Sequence, residues 1–362
     1  MDQYAVPVVW SPETRRHDPR HEVWVGVPTE GTETAARVDV ILDALRSAGH
    51  ELIDATPQPD HALHGVHSAE LLDFLRTAAD RWAAGPYAGL VGQERVVPYL
   101  FPTPAMTGPL PARPAVAVHA DAGRFAYDTM TLVGPGTWEA ARAAVDCAIQ
   151  AAQLVNKGAR LTYALSRPPG HHATFNGFGG SCYLNNAAVA AATLRTYHLR
   201  VGIVDLDAHH GNGTAGIFYG QADVRYGSVH VDPGAGWFPH VVGYADETGT
   251  GPGAGATRNL PLPEGAGDEP WLHAVAELAD WVSDCDALVV SLGVDAAADD
   301  PESPLQVTAD GYREAGQLLG ATGLPAVAVQ EGGYHLSTLG GLVSAYLEGH
   351  GAALAGGPEG PR

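Results

Sequence analysis

The sequence predicts an α/β fold in which a mostly parallel central sheet is flanked by helices. Four runs rich in aliphatic and β-branched residues, at 161–165, 200–204, 286–294 and 325–330, are predicted to be buried strands. From about residue 130 onward these runs alternate with segments of helical periodicity, an order typical of parallel sheets. Each run ends directly before polar residues, and parallel sheets place their sites at the carboxyl ends of strands.

Segments of helical periodicity would form the layers on the two faces of this sheet. Residues 32–48 and 137–157 each begin with threonine and are followed by glycine, which are helix start and stop signals. Further helices are predicted at residues 185–198, 269–283, 309–319 and 339–347.

The chain of 362 residues is long enough for one large domain, residues 1–362, with an extensive apolar core. Apolar residues make up 45% of the sequence and charged residues 17%, and no second module is visible. The 45 glycines and 27 prolines indicate many structured loops. A Pro- and Gly-rich insertion is predicted at about residues 85–125.

The net charge of −21 disfavours nucleic-acid binding and favours a cationic substrate, although acidic proteomes reach such charges without that purpose. No apolar stretch is long enough to cross a bilayer, and residues 1–4 show no basic-then-apolar leader. We therefore expect a cytoplasmic protein without membrane contact. The three cysteines, Cys147, Cys182 and Cys285, form no paired motif and are predicted to be core thiols.

A cluster of metal-ligating residues follows the run at 200–204. Asp205, Asp207 and His209 occupy alternate positions, which share one face of a strand. Asp295, after the run at 286–294, offers a carboxylate that completes a three-residue set with Asp207 and His209. Carboxylates with one imidazole suit Zn²⁺, and three protein ligands with an open fourth position indicate a catalytic site. The alternative interpretation is a polar loop capped by the glycines that follow.

Two other strand ends carry side chains suited to catalysis. Prolines and a glycine at 168–170 forbid a continued strand or helix, so a rigid turn would project His171 and His172. After the run at 325–330, two glycines at 332–333 allow a turn that aims Tyr334 back over the sheet. Each fragment alone is compatible with an ordinary turn, but their common position at strand ends favours one shared site.

In these motifs the chain resembles the zinc-dependent deacetylases, the family of histone deacetylases and acetylpolyamine amidohydrolases. The resemblance covers most of the chain and implies an arginase–deacetylase-type α/β fold. The matching stretches are residues 20–24, 66–69, 135–138, 167–173, 185–189, 205–214, 291–295 and 331–334. The Glu-Gly-Gly-Tyr form at 331–334, the stretches 238–240 and 243–249, and the insertion are more similar to acetylpolyamine amidohydrolases.

The resemblance implies a role for each catalytic candidate. Two carboxylates cancel the formal charge of Zn²⁺, so a general base is needed. His172 would take a proton from the attacking water and later protonate the leaving amine, with His171 as its electrostatic partner. Asp205 would hold His171, and Asn212 would lie behind His172. Tyr334 would donate a hydrogen bond to the scissile carbonyl and then to the oxyanion.

The same resemblance implies a monovalent cation, usually potassium, beneath the zinc ligands. The matching positions are Asp205, Asp207, His209, Ser228 and Val229. Backbone carbonyl ligands leave no trace in a sequence, so this cation site rests on the resemblance alone.

The residues that match the substrate tunnel depart from the family pattern. Ser181, after Gly180, stands where the family usually has an aromatic wall, whereas Phe238 beside Trp237 retains the opposite wall. We therefore expect a wider and more polar tunnel. Glu302 would place a carboxylate near its mouth, where relatives commonly carry an apolar residue. In the alternative interpretation, neighbouring loops fill or cover Ser181 and Glu302.

The expected activity is hydrolysis of a small-molecule N-acyl amine such as an acetylpolyamine, an acetyl-lysine or a specialised metabolite. The acidic pair of polyamine enzymes aligns roughly on His119 and Met130, with Asp121 and Asp128 nearby, so the usual recognition of a diamine is in doubt. In acetylpolyamine enzymes an insertion like residues 85–125 makes a dimer. A homodimer is therefore implied, and residues 97–102 would suit its contact.

Two other functions compete with this prediction. A binuclear manganese ureohydrolase of the arginase type shares the architecture but needs further bridging carboxylates. Here His210 and Gly211 follow His209, and Asp295 alone ends its strand. A catalytically silent binding protein is disfavoured because no predicted catalytic position is substituted.

Overall fold

Eight parallel strands form the centre of the computed structural model, which describes residues 4–90 and 94–356. In chain order the strands are β1 (Pro7–Trp10), β2 (His21–Trp24), β3 (Val27–Glu30), β4 (Glu51–Asp54), β5 (Leu161–Ala164), β6 (Val201–Asp205), β7 (Val224–Val231), β8 (Thr257–Leu262), β9 (Ala287–Leu292) and β10 (Ala326–Gln330). The large sheet has the order β4-β1-β5-β10-β9-β6-β7-β8, and β2 and β3 form a separate antiparallel hairpin. Segments far apart in sequence therefore meet at the centre of the sheet.

The four strands at the centre of the sheet are buried along their full length. Every residue of β5, β10, β9 and β6 is buried. Such strands are covered on both faces, which explains their continuous apolar composition. Alternate residues face opposite layers, so Ile203 packs in one hydrophobic core and Val204 in the other.

Helices cover both faces of this sheet. In chain order they are α1 (Ala36–Ser47), α2 (Ala69–Ala83), α3 (Pro104–Thr107), α4 (Val118–Asp121), α5 (Thr137–Asn156), α6 (Asn186–Leu194), α7 (Asn212–Phe218), α8 (Asp268–Val282), α9 (Ala309–Gly320) and α10 (Leu336–Gly356). One core contains residues of α2, α5, α6 and α7, and the other contains residues of α1, α8, α9 and α10. Short 3-10 helices span Pro12–Arg16, Asp60–Leu63, Ala122–Arg124, Pro233–Ala235 and Gly251–Gly253.

The predicted fold class is confirmed, and the four predicted strands are present as β5, β6, β9 and β10. Helix α1 begins at Ala36 rather than at residue 32, since Glu33 lies outside the helix as the buried partner of Arg37 and Arg167. Helix α10 continues beyond the predicted end at residue 347 to Gly356, packed closely against α9.

The sequence patterns used above do not predict β1, β4, β7, β8 or α2. Strands β1 and β4 have four residues each, too few for a periodic signal. Arg225 interrupts the apolar pattern of β7, and Pro261 interrupts that of β8. Helix α2 is different, because its buried face from Leu71 to Trp82 follows a helical period that the sequence does contain.

The insertion at 85–125 includes α3, α4 and one 3-10 helix in its described part. Cys147, Cys182 and Cys285 are buried and unpaired, which confirms their prediction as core thiols. Within residues 4–90 and 94–356, no helix has the length and apolar character needed to cross a membrane.

Candidate active site

A cavity of about 390 Å³ opens at the carboxyl ends of the central strands. Its floor consists of lining residues that follow these strands: His172 after β5, His209 after β6 and Tyr334 after β10. Its mouth contains Trp24, which is 53% exposed at the end of β2, and Glu302. Its wall includes the predicted substrate-binding residues Gly180, Ser181, Trp237 and Phe238.

Three metal-ligating side chains converge at the floor, and we call them the metal trio: Asp207, His209 and Asp295. One ligand atom from each lies within 4.8 Å of the others, and no second group of this kind occurs within the described residues. Nδ1 of His209 lies 3.3 Å from Oδ1 of Asp207 and 3.1 Å from Oδ2 of Asp295. The structure thus brings together the residues that the sequence predicts as zinc ligands.

The electrostatics of the metal trio favour a bound cation. Burial and the charge of Asp207 raise the pKa of Asp295 to about 7. Burial alone would lower the pKa of His209, but the two carboxylates raise it to about 10. Two carboxylates buried next to each other require a positive partner. A set of two carboxylates and one imidazole fits Zn²⁺.

Backbone groups orient the two carboxylates of the metal trio. Gly332 N donates to Oδ2 of Asp207 at 2.9 Å, and Ala208 N donates to Oδ1 of Asp295 at 2.9 Å. A side chain at position 332 would clash with both carboxylates, so the close approach of this turn requires glycine. The turn before Tyr334 therefore also orients the Asp207 carboxylate of the metal trio.

His171 is held by Asp205 on β6, which is itself held by Tyr226 on the neighbouring strand β7. Its Nδ1 lies 3.1 Å from Oδ2 of Asp205, and the same oxygen accepts a hydrogen bond from the Tyr226 hydroxyl at 3.0 Å. Burial alone would lower the pKa of His171, but Asp207 and Asp205 raise it well above its ordinary value. His171 is therefore the cationic member of the histidine pair, and Tyr226 is a supporting residue that sequence reasoning missed.

His172 lies in the opposite electrostatic environment. Its Nδ1 lies 2.7 Å from Oδ1 of Asn212, as the sequence analysis expects. Burial, and next the positive charge of His171, lower the pKa of His172 well below its ordinary value. Two adjacent imidazoles with opposite shifts are suited to separate roles, one charged and one neutral and able to accept a proton.

Glu331 holds the turn that carries the histidine pair. Its Oε2 accepts hydrogen bonds from Gly170 N at 2.6 Å and from His171 N at 3.1 Å. Burial raises the pKa of Glu331 to about 8. The motif at 331–334 therefore contributes to the site at its first residue as well as at Tyr334, a role that the sequence analysis did not assign.

Tyr334 is held from below by a buried arginine. Arg37 Nε donates to the Gly333 carbonyl at 2.6 Å, and its guanidinium carbon lies 4.8 Å from the centre of the Tyr334 ring. Oδ2 of Asp300 accepts a hydrogen bond from Tyr334 N at 2.6 Å. Burial raises the pKa of Tyr334 well above its ordinary value, so the phenol stays protonated and able to donate. Arg37 and Asp300 are further residues that sequence reasoning missed.

An aromatic ring from a distant segment stands beside the wall. Phe238 packs edge-on against His172, with ring centroids 4.7 Å apart. Tyr127 stacks nearly parallel to Phe238, with centroids 6.3 Å apart and planes at 13°. Ser181 and Phe238 both line the cavity, and the Tyr127 ring supports the Phe238 ring by stacking on it.

Ser181 lies in a strained turn. It has a φ of 61°, and Gly180 before it has a φ of 56°. Gly180 N donates to Oδ2 of Asp128 at 2.6 Å, and Ser181 N donates to Oγ1 of Thr131 at 2.9 Å. A left-handed conformation is costly for serine, so these hydrogen bonds hold the turn in place. Asp128 thus anchors the backbone of the cavity wall at Gly180.

The glutamate at the mouth has a second, buried glutamate near it. Glu302 lines the cavity, as predicted, and its Oε1 accepts a hydrogen bond from the Thr32 hydroxyl at 2.9 Å. Glu22 is buried nearby on β2, the strand that carries Trp24. Burial, and next the charge of Glu302, raise the pKa of Glu22 to about 8. No sequence motif indicates Glu22.

The positions that align with the acidic pair of polyamine enzymes have separate environments. Met130 lines the cavity. His119 packs against aromatic rings of the insertion. Asp121 forms ion pairs with Arg81 and Arg124, each at 3.0 Å. Asp121 is thus already paired with arginines.

The residues predicted to hold a monovalent cation are neighbours on β6 and β7. Ser228 lies opposite Asp205 in the strand register, and Val229 follows it. Asp205, Ser228 and Val229 are fully buried. Oγ of Ser228 pairs with Nδ1 of His230 at 2.8 Å.

Comparison with protein sequences identifies the family. Residues 31–350 match the histone deacetylase domain. The acetylpolyamine amidohydrolase of Burkholderia pseudomallei is 40% identical over 349 residues, which cover 94% of this chain and 97% of the relative. The acetylpolyamine amidohydrolase of Mycoplana ramosa is 37% identical over 348 residues, which cover 94% of this chain and 98% of the relative.

Solved structures lead to the same family. A crystal structure of acetylpolyamine aminohydrolase from Burkholderia pseudomallei matches with a TM-score of 0.90 and 37% identity, covering 96% of this chain and 99% of that one. The HD domain of HDA15 matches with a TM-score of 0.76 and 28% identity, covering 96% of this chain and 90% of that one. The chain therefore belongs to the histone deacetylase family and is similar along almost its whole length to acetylpolyamine amidohydrolases.

Proposed function

We propose that the protein is a zinc-dependent amidohydrolase that removes an acyl group, preferably acetyl, from a small-molecule amine. Candidate substrates are an acetylpolyamine, an acetyl-lysine or a specialised metabolite. The observation that carries the proposal is the convergence of the metal trio, a histidine of low proton affinity and a phenol around one cavity. The names of the acetylpolyamine amidohydrolase relatives support an acylated amine as the substrate.

The metal trio would hold the zinc ion, which when bound supplies a Lewis acid for the amide carbonyl and for water. His172 is neutral in this environment, so it accepts the proton of the attacking water. The same imidazole then passes that proton to the amine nitrogen, which leaves as a neutral amine. The positive charge on His171 keeps the proton affinity of His172 low and so favours this return.

Tyr334 would donate a hydrogen bond to the carbonyl oxygen as negative charge develops on it. Because burial keeps the phenol protonated, the donor is present at neutral pH. Arg37 and Asp300 bind the carbonyl and the N–H of the peptide unit between Gly333 and Tyr334, and so fix the backbone that carries this donor before the substrate arrives. A fixed donor stabilises the transition state more than a mobile one, because it costs no reorganisation during the reaction.

The mouth supports a substrate with a second positive charge. Glu302 places a carboxylate at the mouth, whose lining also includes the largely exposed ring of Trp24. Carboxylates beside an aromatic ring form an environment that attracts ammonium groups. The net charge of −21 adds a long-range attraction for cations and disfavours nucleic acid as a partner. We therefore rank acetylated diamines and polyamines above neutral amides.

Two alternative functions receive less support. The metal trio provides ligands for one ion, and the described residues contain no second group of metal-ligating side chains, which disfavours a binuclear manganese ureohydrolase. For a catalytically silent binding protein, there would be no reason to keep a base, a phenol and a metal trio around one cavity.

Three further elements of the proposal rest on the resemblance to the family. A potassium ion would be held near Asp205, Ser228 and Val229. A homodimer would form through the insertion at 85–125, where Tyr99 and Val116 are exposed. The cytoplasm is the proposed location.

Metal analysis and a substrate screen test the proposal together. We expect the purified protein to bind one zinc ion per chain, and two manganese ions per chain would overturn the assignment. The screen varies acyl size and amine charge and measures the release of free amine. We expect the fastest turnover with an N-acetyl amine that carries a second positive charge. Failure to release amine from any substrate, with zinc bound, would favour the silent binding protein.

A further inference from the structure

The hydroxyl of Tyr127 connects the backbone of His172 with the side chain of Asn212. It donates a hydrogen bond to the carbonyl oxygen of His172 at 2.6 Å. The Asn212 side chain lies within hydrogen-bonding reach of the same hydroxyl. Oδ1 of Asn212 in turn lies 2.7 Å from Nδ1 of His172. Together these contacts form a circuit that links the backbone and the ring of His172 through Tyr127 and Asn212.

This circuit decides which end of the Asn212 amide faces His172. An amide side chain has an oxygen that accepts and an amino group that donates. The hydroxyl proton of Tyr127 is already donated to the His172 carbonyl, so toward Asn212 the Tyr127 oxygen can only accept. Asn212 must therefore turn its amino group to Tyr127 and its oxygen to His172.

The orientation of Asn212 in turn selects the tautomer of His172. An oxygen at Nδ1 requires that Nδ1 carries the proton of the neutral ring, which leaves the lone pair on Nε2. Within the described residues, Nε2 of His172 has no hydrogen-bond partner, and the ring lines the cavity. A flipped amide would present N–H to Nδ1, shift the ring proton to Nε2 and remove the acceptor.

The ring of Tyr127 is held independently of its hydroxyl. The ring lies so close to Gly179 that a side chain at that position would clash with it. It stacks on Phe238, and Tyr127 N donates to the Phe178 carbonyl at 3.1 Å. The variant Tyr127→Phe should therefore keep the ring in place and remove only the hydroxyl.

We propose that Tyr127 is a positioning residue of the catalytic base. Its hydroxyl fixes the orientation of the Asn212 amide, and through that amide it fixes the His172 tautomer that leaves Nε2 free. The inference rests on the proposed function, because it takes His172 as the base.

The first test reads the tautomer and needs no activity. The zinc-loaded protein is labelled with ¹⁵N-histidine, and the His172 signals are identified by their loss in His172→Ala. Tyr127→Phe should shift part of the His172 population toward a proton on Nε2. The matched control is Tyr346→Phe, which removes a buried hydroxyl 3.1 Å from Nδ1 of His350 and should leave His172 unchanged. An unchanged His172 tautomer in Tyr127→Phe would overturn the inference.

The second test asks whether Tyr127 acts through Asn212. A carboxylate presents an oxygen to Nδ1 in either orientation, so the Asn212→Asp background should not need the Tyr127 hydroxyl. We expect Tyr127→Phe to lower kcat about tenfold in the parent and less than about twofold in the Asn212→Asp background, with KM unchanged. An equal loss in both backgrounds would show a packing role and contradict the inference.

The two tests also separate this inference from the proposed function. If Tyr127→Phe shifts the His172 tautomer as expected but the parent protein hydrolyses no acyl amine, the proposed function would be contradicted, while the link from Tyr127 to His172 would stand. A parent protein that is active but whose His172 tautomer ignores Tyr127 would contradict only the inference.

Discussion

The floor of the cavity is held far more tightly than its mouth. At the floor, both carboxylates of the metal trio accept backbone N–H groups, and Glu331 fixes the turn that carries His171. At the mouth, the Glu302 carboxylate accepts a hydrogen bond from Thr32, and the Trp24 side chain is largely exposed. The contrast places bond-breaking chemistry on preorganised groups and leaves substrate choice to groups that can change without disturbing them.

This contrast predicts two kinds of mutational effect. Changes at the floor should lower metal binding or kcat for every substrate, because they alter groups that act in the transition state. Changes at the mouth should alter KM for particular substrates, because they act on parts of the substrate that do not react.

The largest effect is expected for Asp295→Asn at the floor. The variant should lose the metal and all measurable turnover, yet stay folded, since asparagine retains an oxygen for the Ala208 N–H. Elemental analysis and thermal melting followed by circular dichroism test the two parts. The control is Asp284→Asn, which changes an exposed aspartate paired with Arg225 and Arg200 and should retain the metal. Full metal content in Asp295→Asn would contradict the assigned ligand set.

The next largest effect is expected for Tyr334→Phe. The variant loses one donor to the developing oxyanion, so kcat should fall about a hundredfold, which corresponds to about 3 kcal/mol, with a modest change in KM. His172→Ala should be at least as damaging because it removes the proton acceptor. Steady-state kinetics with the best substrate measure both. Near-full turnover in both variants would show that the floor does not work as proposed.

Near the mouth, Glu22→Gln tests the raised pKa of Glu22, which burial and next the charge of Glu302 cause. The pKa of Glu22 is about 8 in the folded protein and 4.5 as its ordinary value, so folding favours the protonated form. Stability of the parent should therefore fall as pH rises from 4.5 toward 8. Glu22→Gln removes this loss, so its advantage in denaturant unfolding should grow by roughly 1–3 kcal/mol between pH 5.5 and pH 8.5. The same advantage at both pH values would contradict the raised pKa.

The smallest effect is expected for Glu302→Ala. It should raise KM for cationic amides by only about two- to fivefold, because a partly exposed charge is screened by solvent. KM for neutral amides should not change, because they carry no charge for Glu302 to attract. The difference should shrink as salt concentration rises. Glu51→Ala, at an exposed position on the edge strand β4, is the matched control and should have no effect. Equal changes for charged and neutral substrates would show that Glu302 does not contact the cationic group.

Much of the floor follows from local sequence patterns. Asp207 and His209 lie directly after the carboxyl end of β6, where the sequence predicts a site; β6 ends at Asp205, so a bend and not strand alternation sets their directions. The histidine pair and Tyr334 follow Pro- and Gly-containing turns, whose backbone preferences are local properties. The partnership with Asp295 follows because parallel strands end at the same edge of a sheet.

The supporting contacts could not be predicted in this way. Arg37 binds the Gly333 carbonyl across 296 positions of sequence, and Tyr127 binds the His172 carbonyl across 45. An apolar or polar pattern indicates which side chains are buried, but it does not specify the neighbours that they meet. For the same reason the sequence does not indicate that the Tyr127 ring stacks on Phe238, because the two rings come from distant segments.

The sequence by itself determined the α/β class, the four central strands and the chemical groups at their carboxyl ends. These features depend on periodicity and on the backbone freedom of proline and glycine, which act over a few residues. Only the tertiary structure decided that Asp128 anchors the wall, that Glu22 lies beside Glu302 and that the two histidines have opposite proton affinities. Burial and local charge depend on which distant segments pack together, and the strand order β5-β10-β9-β6 sets that packing.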